Sequence, residues 1–173
     1  MKIRFAQKED ISIILAMCKK MAAESRFQRY GVNETKLVSV ISSMVGNSGN
    51  ASLFLAERAN GEIAGMLAGY VTDYFFCDAI VAQDRWFYVK PEYRGSSAAV
   101  KLLLAFRRWA ENRKANEFSI NMSVGIDMTR FNKFMMHLGF NCCGSNFSMA
   151  LAGCPEPQDS AQVLGAVTAG TVE

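Results

Sequence analysis

The stretch Trp86-Phe-Tyr-Val-Lys-Pro-Glu-Tyr-Arg-Gly-Ser-Ser-Ala-Ala-Val-Lys-Leu-Leu-Leu104 reads as a strand, a tight turn of small residues and a helix. Trp86 to Val89 are aromatic or β-branched, and Pro91 stops the ladder because it has no N–H to give. Ala98, Ala99, Val100, Leu102, Leu103, Leu104, Phe106 and Trp109 then form a broad apolar face at helical spacing, so a helix begins near Ser96 or Ser97. The first-turn N–H groups of a helix have no intrahelical partner, and its dipole places partial positive charge there. Small side chains at Gly95, Ser96, Ser97, Ala98 and Ala99 would let a phosphate or pyrophosphate approach that backbone closely. The alternative is an ordinary helix capped by Ser96 or Ser97 with nothing bound.

The run Val89-Lys-Pro-Glu-Tyr-Arg-Gly-Ser-Ser-Ala-Ala followed by Leu102-Leu103 resembles the coenzyme A signature of the GNAT superfamily of acyl-coenzyme A dependent N-acetyltransferases. That signature is Arg or Gln, two residues, Gly, one residue, then Gly or Ala. Arg94 matches the first position and Ala99 the last, whereas Ser97 stands where the family usually has glycine. Phe118 to Val124, Asp127 to Leu138, Gly139-Phe140 and Phe147 to Leu151 follow the family's order of strand, helix, Gly-Phe pair and last strand, so the resemblance covers roughly residues 2 to 151.

The resemblance implies an α/β (α+β) fold: a mixed, mostly antiparallel central sheet flanked by helices and splayed at the coenzyme A site. It implies a GNAT-like domain over residues 1–152; beyond it, Pro155, Pro157 and an end with few large side chains read as a loosely held tail over 153–173. It also implies acetyl-coenzyme A as co-substrate, transferring its acetyl group directly to a primary amine in a ternary complex. Main-chain groups of Phe87, Tyr88 and Val89 would bond the pantetheine arm, and the N–H groups of Arg94, Gly95, Ser96, Ser97, Ala98 and Ala99 the pyrophosphate. Arg94 can add charge-assisted bonds to phosphate.

The attacking amine, of pKa near 10, needs a base or a water chain at neutral pH. Asp84 is the first candidate, with Glu92, Asp78 and Asp73 behind it. Many family members protonate the leaving thiolate with a tyrosine four residues before the Gly of Gly-Phe. Met135 occupies that position and cannot donate, so Tyr88 is the substitute considered, with Tyr93, Ser123 or a water as further options. Thiolate departure could also proceed unaided, since a thiol of pKa near 8.5 leaves fairly well. Cys142 and Cys143 have no histidine base near them, and His137 reads as a surface or packed residue. A catalytically weak GNAT-like module, binding coenzyme A or a protein partner, is the rival function.

The elements that would position this site read as follows. Lys2 to Ala6 form a strand, and Asp10 caps a helix with Ile11, Ile14, Leu15, Cys18, Met21 and Ala22 on one face. Ser25 to Asn33 form a loop whose Arg26, Phe27, Arg29 and Tyr30 would border the acceptor, by the resemblance. Glu34 to Val45 suit a second helix. Ser52 to Glu57 and Glu62 to Val71 are strands joined by a hairpin at Asn60-Gly61. Thr72 to Gln83 extend the third strand and turn back toward Trp86, leaving aromatic surface at Tyr74 to Phe76.

A chain of 173 residues with 50% hydrophobic and 20% charged residues suits one globular domain. A net charge of +3 is too small to argue for nucleic acid, and Arg107, Arg108, Arg113 and Lys114 read as a solvated helix face. No signal peptide or membrane span is visible, so a soluble, cytoplasmic protein is expected. Five cysteines without a CxxC pair and one histidine argue against a disulfide framework or a metal site. The acceptor, small molecule or protein, is left open, as is a homodimer through strand edges or the aromatic segment.

Overall fold

The computed structural model describes residues 1–46, 49–122, 127–153 and 155. They fall into two compact units: Met1–Met21 with Asn33–Asn121, and Ala22–Val32 with the residues from Met122 onward.

The first unit is built on a five-stranded sheet in the order β1-β2-β3-β4-β5, with β1 Lys2–Phe5, β2 Ala51–Glu57, β3 Ile63–Tyr74, β4 Cys77–Val89 and β5 Glu117–Ser119. The first four strands are antiparallel, and β5 lies parallel to β4. The sheet is therefore mixed and mostly antiparallel, with helices on its faces. One face packs on α1 (Ile11–Ala23) and α2 (Glu34–Met44): Ile14, Met17, Ile41 and Met44 join Leu53, Leu55, Met66, Ala68, Trp86 and Tyr88 in one buried cluster. The other face takes α3 (Ala98–Asn112), where Phe106 meets Phe54 and Phe118 with ring centroids 6.1 and 5.2 Å apart.

Local chemistry explains the connections. Gly61 at φ +83° turns β2 into β3, and Arg58 N donates to Glu62 O at 2.8 Å. The β3–β4 hairpin closes between Tyr74 and Cys77, so its tip is Phe75-Phe76, both exposed, and Phe76 stacks on Tyr74 with centroids 5.4 Å apart. Asn33 caps α2 by accepting from Lys36 N at 2.9 Å. Asp10 does not cap α1. It accepts from Gln7 N at 2.7 Å and pairs with Arg4, closing a short turn over Lys8–Asp10 that runs into the helix. Arg107 bonds Glu111 one helical turn on, and Arg113 donates to Gly49 O at 3.1 Å while covering the Trp109 ring.

In the second unit, residues 25–32 contain a short 3₁₀ turn over Gln28–Tyr30, ended by Gly31 at φ +65°. Helix α4 (Met128–His137) is capped by Asp127, whose side chain accepts from Arg130 N at 3.1 Å. Gly139 at φ +87° ends it, with Phe140 N bonding Met135 O and Gly139 N bonding Met136 O.

Two expectations are corrected here. Phe147 to Leu151 is not a strand: the alternation Phe147, Met149, Leu151 supplies an apolar face but finds no ladder partner among the described residues, and all three side chains are more than three-quarters exposed. Cys142 and Cys143, which the sequence pattern suggests as buried strand cysteines, are exposed. The strand expected over Phe118 to Val124 is seen over Glu117–Ser119; Ser123 and Val124 lie outside the described residues, as do Cys154 and the tail from residue 156. Among the described residues no helix is long and apolar enough to cross a membrane, and no three His, Cys, Asp or Glu side chains gather to hold a metal.

Gly69 tests the packing of α3 on the sheet. A Cβ there would lie 2.3 Å from Phe106 Cζ and 2.9 Å from Gln83 O, and the Phe106 ring is fully buried. Gly69→Ala is expected to destabilise the fold by about 1–3 kcal/mol. Gly144→Ala, which meets nothing within 4 Å, should stay within about 0.5 kcal/mol of native. Urea midpoints at unchanged slope check both.

Candidate functional site

Strand β4 holds one residue more than its partner β3 can match. Ala68 faces Trp86 and Gly69 faces Asp84, leaving Arg85 as a bulge, exposed to solvent. β5 pairs with β4 only at Val81–Gln83, so the two strands part at the bulge. Among the described residues no strand covers β4 from Trp86 to Val89 on that side. Lys90 N donates to Ala64 O at 3.0 Å, and antiparallel pairs alternate, so Tyr88 and Trp86 turn their main-chain groups to β3. Phe87 and Val89 turn theirs toward the parted edge. Of the three residues expected to bond a pantetheine arm, Phe87 and Val89 thus present main-chain groups there, and Tyr88 does not.

Asp84 sits where the strands part. It is 9% exposed, and its Oδ1 accepts from Asn121 N at 2.7 Å and Asn121 Nδ2 at 3.2 Å. The carboxylate replaces the ladder bonds that β5 no longer makes. Burial pushes its pKa up to about 6, while the Asn121 hydrogen bonds pull the other way. Its cross-strand neighbour Gly69 faces Phe106, so Asp84 points to the α3 side; Tyr88, opposite Met66, belongs to the α1–α2 side. The two candidate catalytic groups are therefore on opposite faces. Asp73, Asp78 and Glu92 are all exposed, the first two beside the hairpin tip.

Beyond Val89 the chain makes a 3₁₀ turn over Pro91–Tyr93 and enters the small-residue turn. Arg94, Gly95, Ser96 and Ser97 are exposed, and Gly95 holds φ +92° with nothing within 4 Å of where a Cβ would stand. Arg94 Nε donates to Val89 O at 3.0 Å, and its guanidinium lies 5.7 Å from the Tyr88 ring centroid. Ser97 is the N-cap residue of α3 without a side-chain cap bond, Ser96 Oγ accepts from Ala98 N at 3.2 Å, and Lys101 N makes the first intrahelical bond, to Ser97 O. The N–H groups of Ala99 and Val100 precede that bond and are left for an anion or solvent. Open space, small side chains and cationic Arg94 fit a phosphate.

Arg26 bonds Ser148 Oγ at 3.0 Å and covers the Phe27 ring, and Tyr30 is exposed. Met135 is buried. Cys18 is buried in the α1–α2 cluster, and its thiol is pushed up to about 12 by desolvation. Asn121 was not legible as a site residue, because nothing local marks a main-chain N–H that will serve a carboxylate 37 positions away.

The sequence profile described as "Acetyltransferase (GNAT) family" matches residues 18–140. The chain belongs to the GNAT acetyltransferase family. Among curated proteins none matches it. Of solved structures, AAC(6')-Iy in complex with the bisubstrate analogue CoA-S-monomethyl-acetylneamine superposes with TM-score 0.69 at 19% identity, covering 87% of this chain and 97% of that one. The aminoglycoside 6'-N-acetyltransferase AAC(6')-IG from Acinetobacter haemolyticus gives TM-score 0.67 at 18% identity, covering 87% and 98%. The ribosomal-protein-alanine N-acetyltransferase from Brucella melitensis gives 0.64 at 15%, covering 87% and 100%. At these identities they establish the shared GNAT fold.

The raised Asp84 pKa has a signed consequence for stability. In the unfolded chain the carboxyl titrates near 3.8, in the fold near 6. Between those values the unfolded chain has released a proton that the fold retains, so stability contributed by this site is lost as pH rises through that window. Relative to Asp84→Asn, the native protein should lose about 2–3 kcal/mol of stability between about pH 4 and pH 7. Denaturant melts of both proteins across that range check it; a pH-independent difference contradicts it.

Proposed function

We propose that this GNAT chain is an N-acetyltransferase that moves an acetyl group from acetyl-coenzyme A to a primary amine, directly, in a ternary complex. The observation that carries the reading is the parted β4 edge, which runs from the outward main-chain groups of Phe87 and Val89 into the Arg94–Ala99 turn at the start of α3. Acetyl-coenzyme A supplies an activated thioester. Phe87 and Val89 bond the pantetheine amides. The N–H groups of Gly95, Ser97 and Ala99 hold the pyrophosphate, since those of Arg94, Ser96 and Ala98 are bonded within the chain, with Arg94 swinging from Val89 O to a phosphate as the arm takes its place.

Asp84 accepts the amine proton, directly or through a water, because its pKa of about 6 leaves it ionised yet basic at neutral pH. No side chain is assigned to the departing thiolate: Met135 has no proton to give, and Tyr88 in this reading packs on the opposite face from Asp84. A cytoplasmic location, where coenzyme A is available, belongs to the same reading. The similar acetyltransferases suggest aminoglycoside amines and a ribosomal-protein alanine as first acceptors to try.

A second reading, a coenzyme-binding module without turnover, is favoured by one observation: the Asp84 carboxylate is already bonded to Asn121 and almost closed to solvent. Calorimetry and thiol-release assays separate the two. Acetyl-coenzyme A should bind in the micromolar range, Arg94→Ala should weaken it about tenfold or more, and Ser97→Glu should abolish it. In the enzyme, kcat/KM should rise with pH through about 6 and lose that limb in Asp84→Asn. Binding without thiol release across the amine panel favours the module.

A further inference from the structure

The turn before α3 has little packing to hold its shape. From Pro91 to Ser97 every residue is exposed except Tyr93, which is half-buried. Tyr93 is tied to the β2–β3 hairpin: its Oη donates to Glu62 Oε2 at 2.6 Å and accepts from Arg58 Nη1 at 3.0 Å. The Arg58 guanidinium lies 4.9 Å from the Tyr93 ring centroid, and Glu62 also receives Lys90 Nζ at 3.4 Å. The hairpin end is itself fixed, since Arg58 N bonds Glu62 O and Glu62 N bonds Asn60 Oδ1 at 3.2 Å. On its other side Tyr93 reaches the turn through its main chain, where Ser96 N donates to Tyr93 O at 3.2 Å.

We propose that Glu62 and Tyr93 form a clasp that fixes the Arg94–Ala99 turn, making them positioning residues for the phosphates of the coenzyme. The inference rests on the coenzyme reading of that turn. Main-chain donors in a run of exposed small residues lose conformational freedom when a ligand orders them, and a clasp that orders them beforehand removes part of that loss. Neither side chain needs to touch the coenzyme.

The sign of one substitution separates positioning from simple electrostatics. Glu62 carries negative charge beside an anion site, so removing that charge should tighten phosphate binding if charge were its whole effect. The clasp requires the opposite. Acetyl-coenzyme A is titrated calorimetrically into the native protein, Glu62→Gln, Tyr93→Phe, their double variant and Glu92→Gln, with ligand-free melting curves confirming that each is folded.

Each single substitution should weaken binding about three- to tenfold, and the double variant no further, because both break one unit. Glu92→Gln, which removes a charge from the same turn outside the clasp, should bind as well as native or tighter. Native binding with Glu62→Gln equal or tighter overturns the clasp alone. Additive losses in the double variant overturn it as a unit. No binding by the native protein overturns the coenzyme reading and this inference with it.

Discussion

One surplus residue sets the geometry on which this site depends. β4 can stay in register with β3 on both sides of Arg85 only by bulging there, and β5 separates from β4 at the same point. Backbone hydrogen bonding is obligatory for buried groups, so a ladder that ends inside a sheet must be completed by something else. Here the Asp84 carboxylate completes it toward Asn121, the Phe87 main-chain groups turn to the parted edge, and Val89 O on that edge takes Arg94 Nε. A straight β4 paired along its length would have no edge for an extended thioester arm.

The arrangement sets local stability against function. A buried carboxylate with no cation bonded to it is unfavourable, and two hydrogen bonds from Asn121 offset only part of its desolvation. The surrounding packing tolerates it because the opposite position is Gly69, into whose missing Cβ the Phe106 ring fits. The same group that closes the parted ladder is left basic near neutral pH. In the proposed enzyme, the group that closes the ladder would also be the base, and the turn before α3 is tied to the β2–β3 hairpin through Tyr93 and Glu62 as well as by its own hydrogen bonds.

Much of this was legible in the residues. Asn60-Gly61 marked its hairpin, the aromatic run past Thr72 continued β3 and returned as β4, and the apolar face from Ala98 placed the start of α3 next to Ser97. What sequence could not supply was pairing. The alternation Phe147, Met149, Leu151 has the period of a strand, but a period says which face is apolar and not which edge will receive it. The bulge at Arg85 leaves no local mark either, because the strand reads from Trp86 to Val89 and nothing in Asp84-Arg85 signals an unmatched residue. Tyr93 was weighed only as a proton donor, since its partner Glu62 lies 31 positions earlier.

The central claim is that the parted edge of β4 is where the coenzyme docks, and residue-resolved amide hydrogen exchange tests it most directly. With acetyl-coenzyme A added, the amides of Phe87 and Val89 should gain protection, together with those of Gly95, Ser97 and Ala99 in the turn. Trp86 and Tyr88, already bonded to β3, should change little. Equal protection of all four strand amides, or none at Phe87 and Val89, would contradict the account.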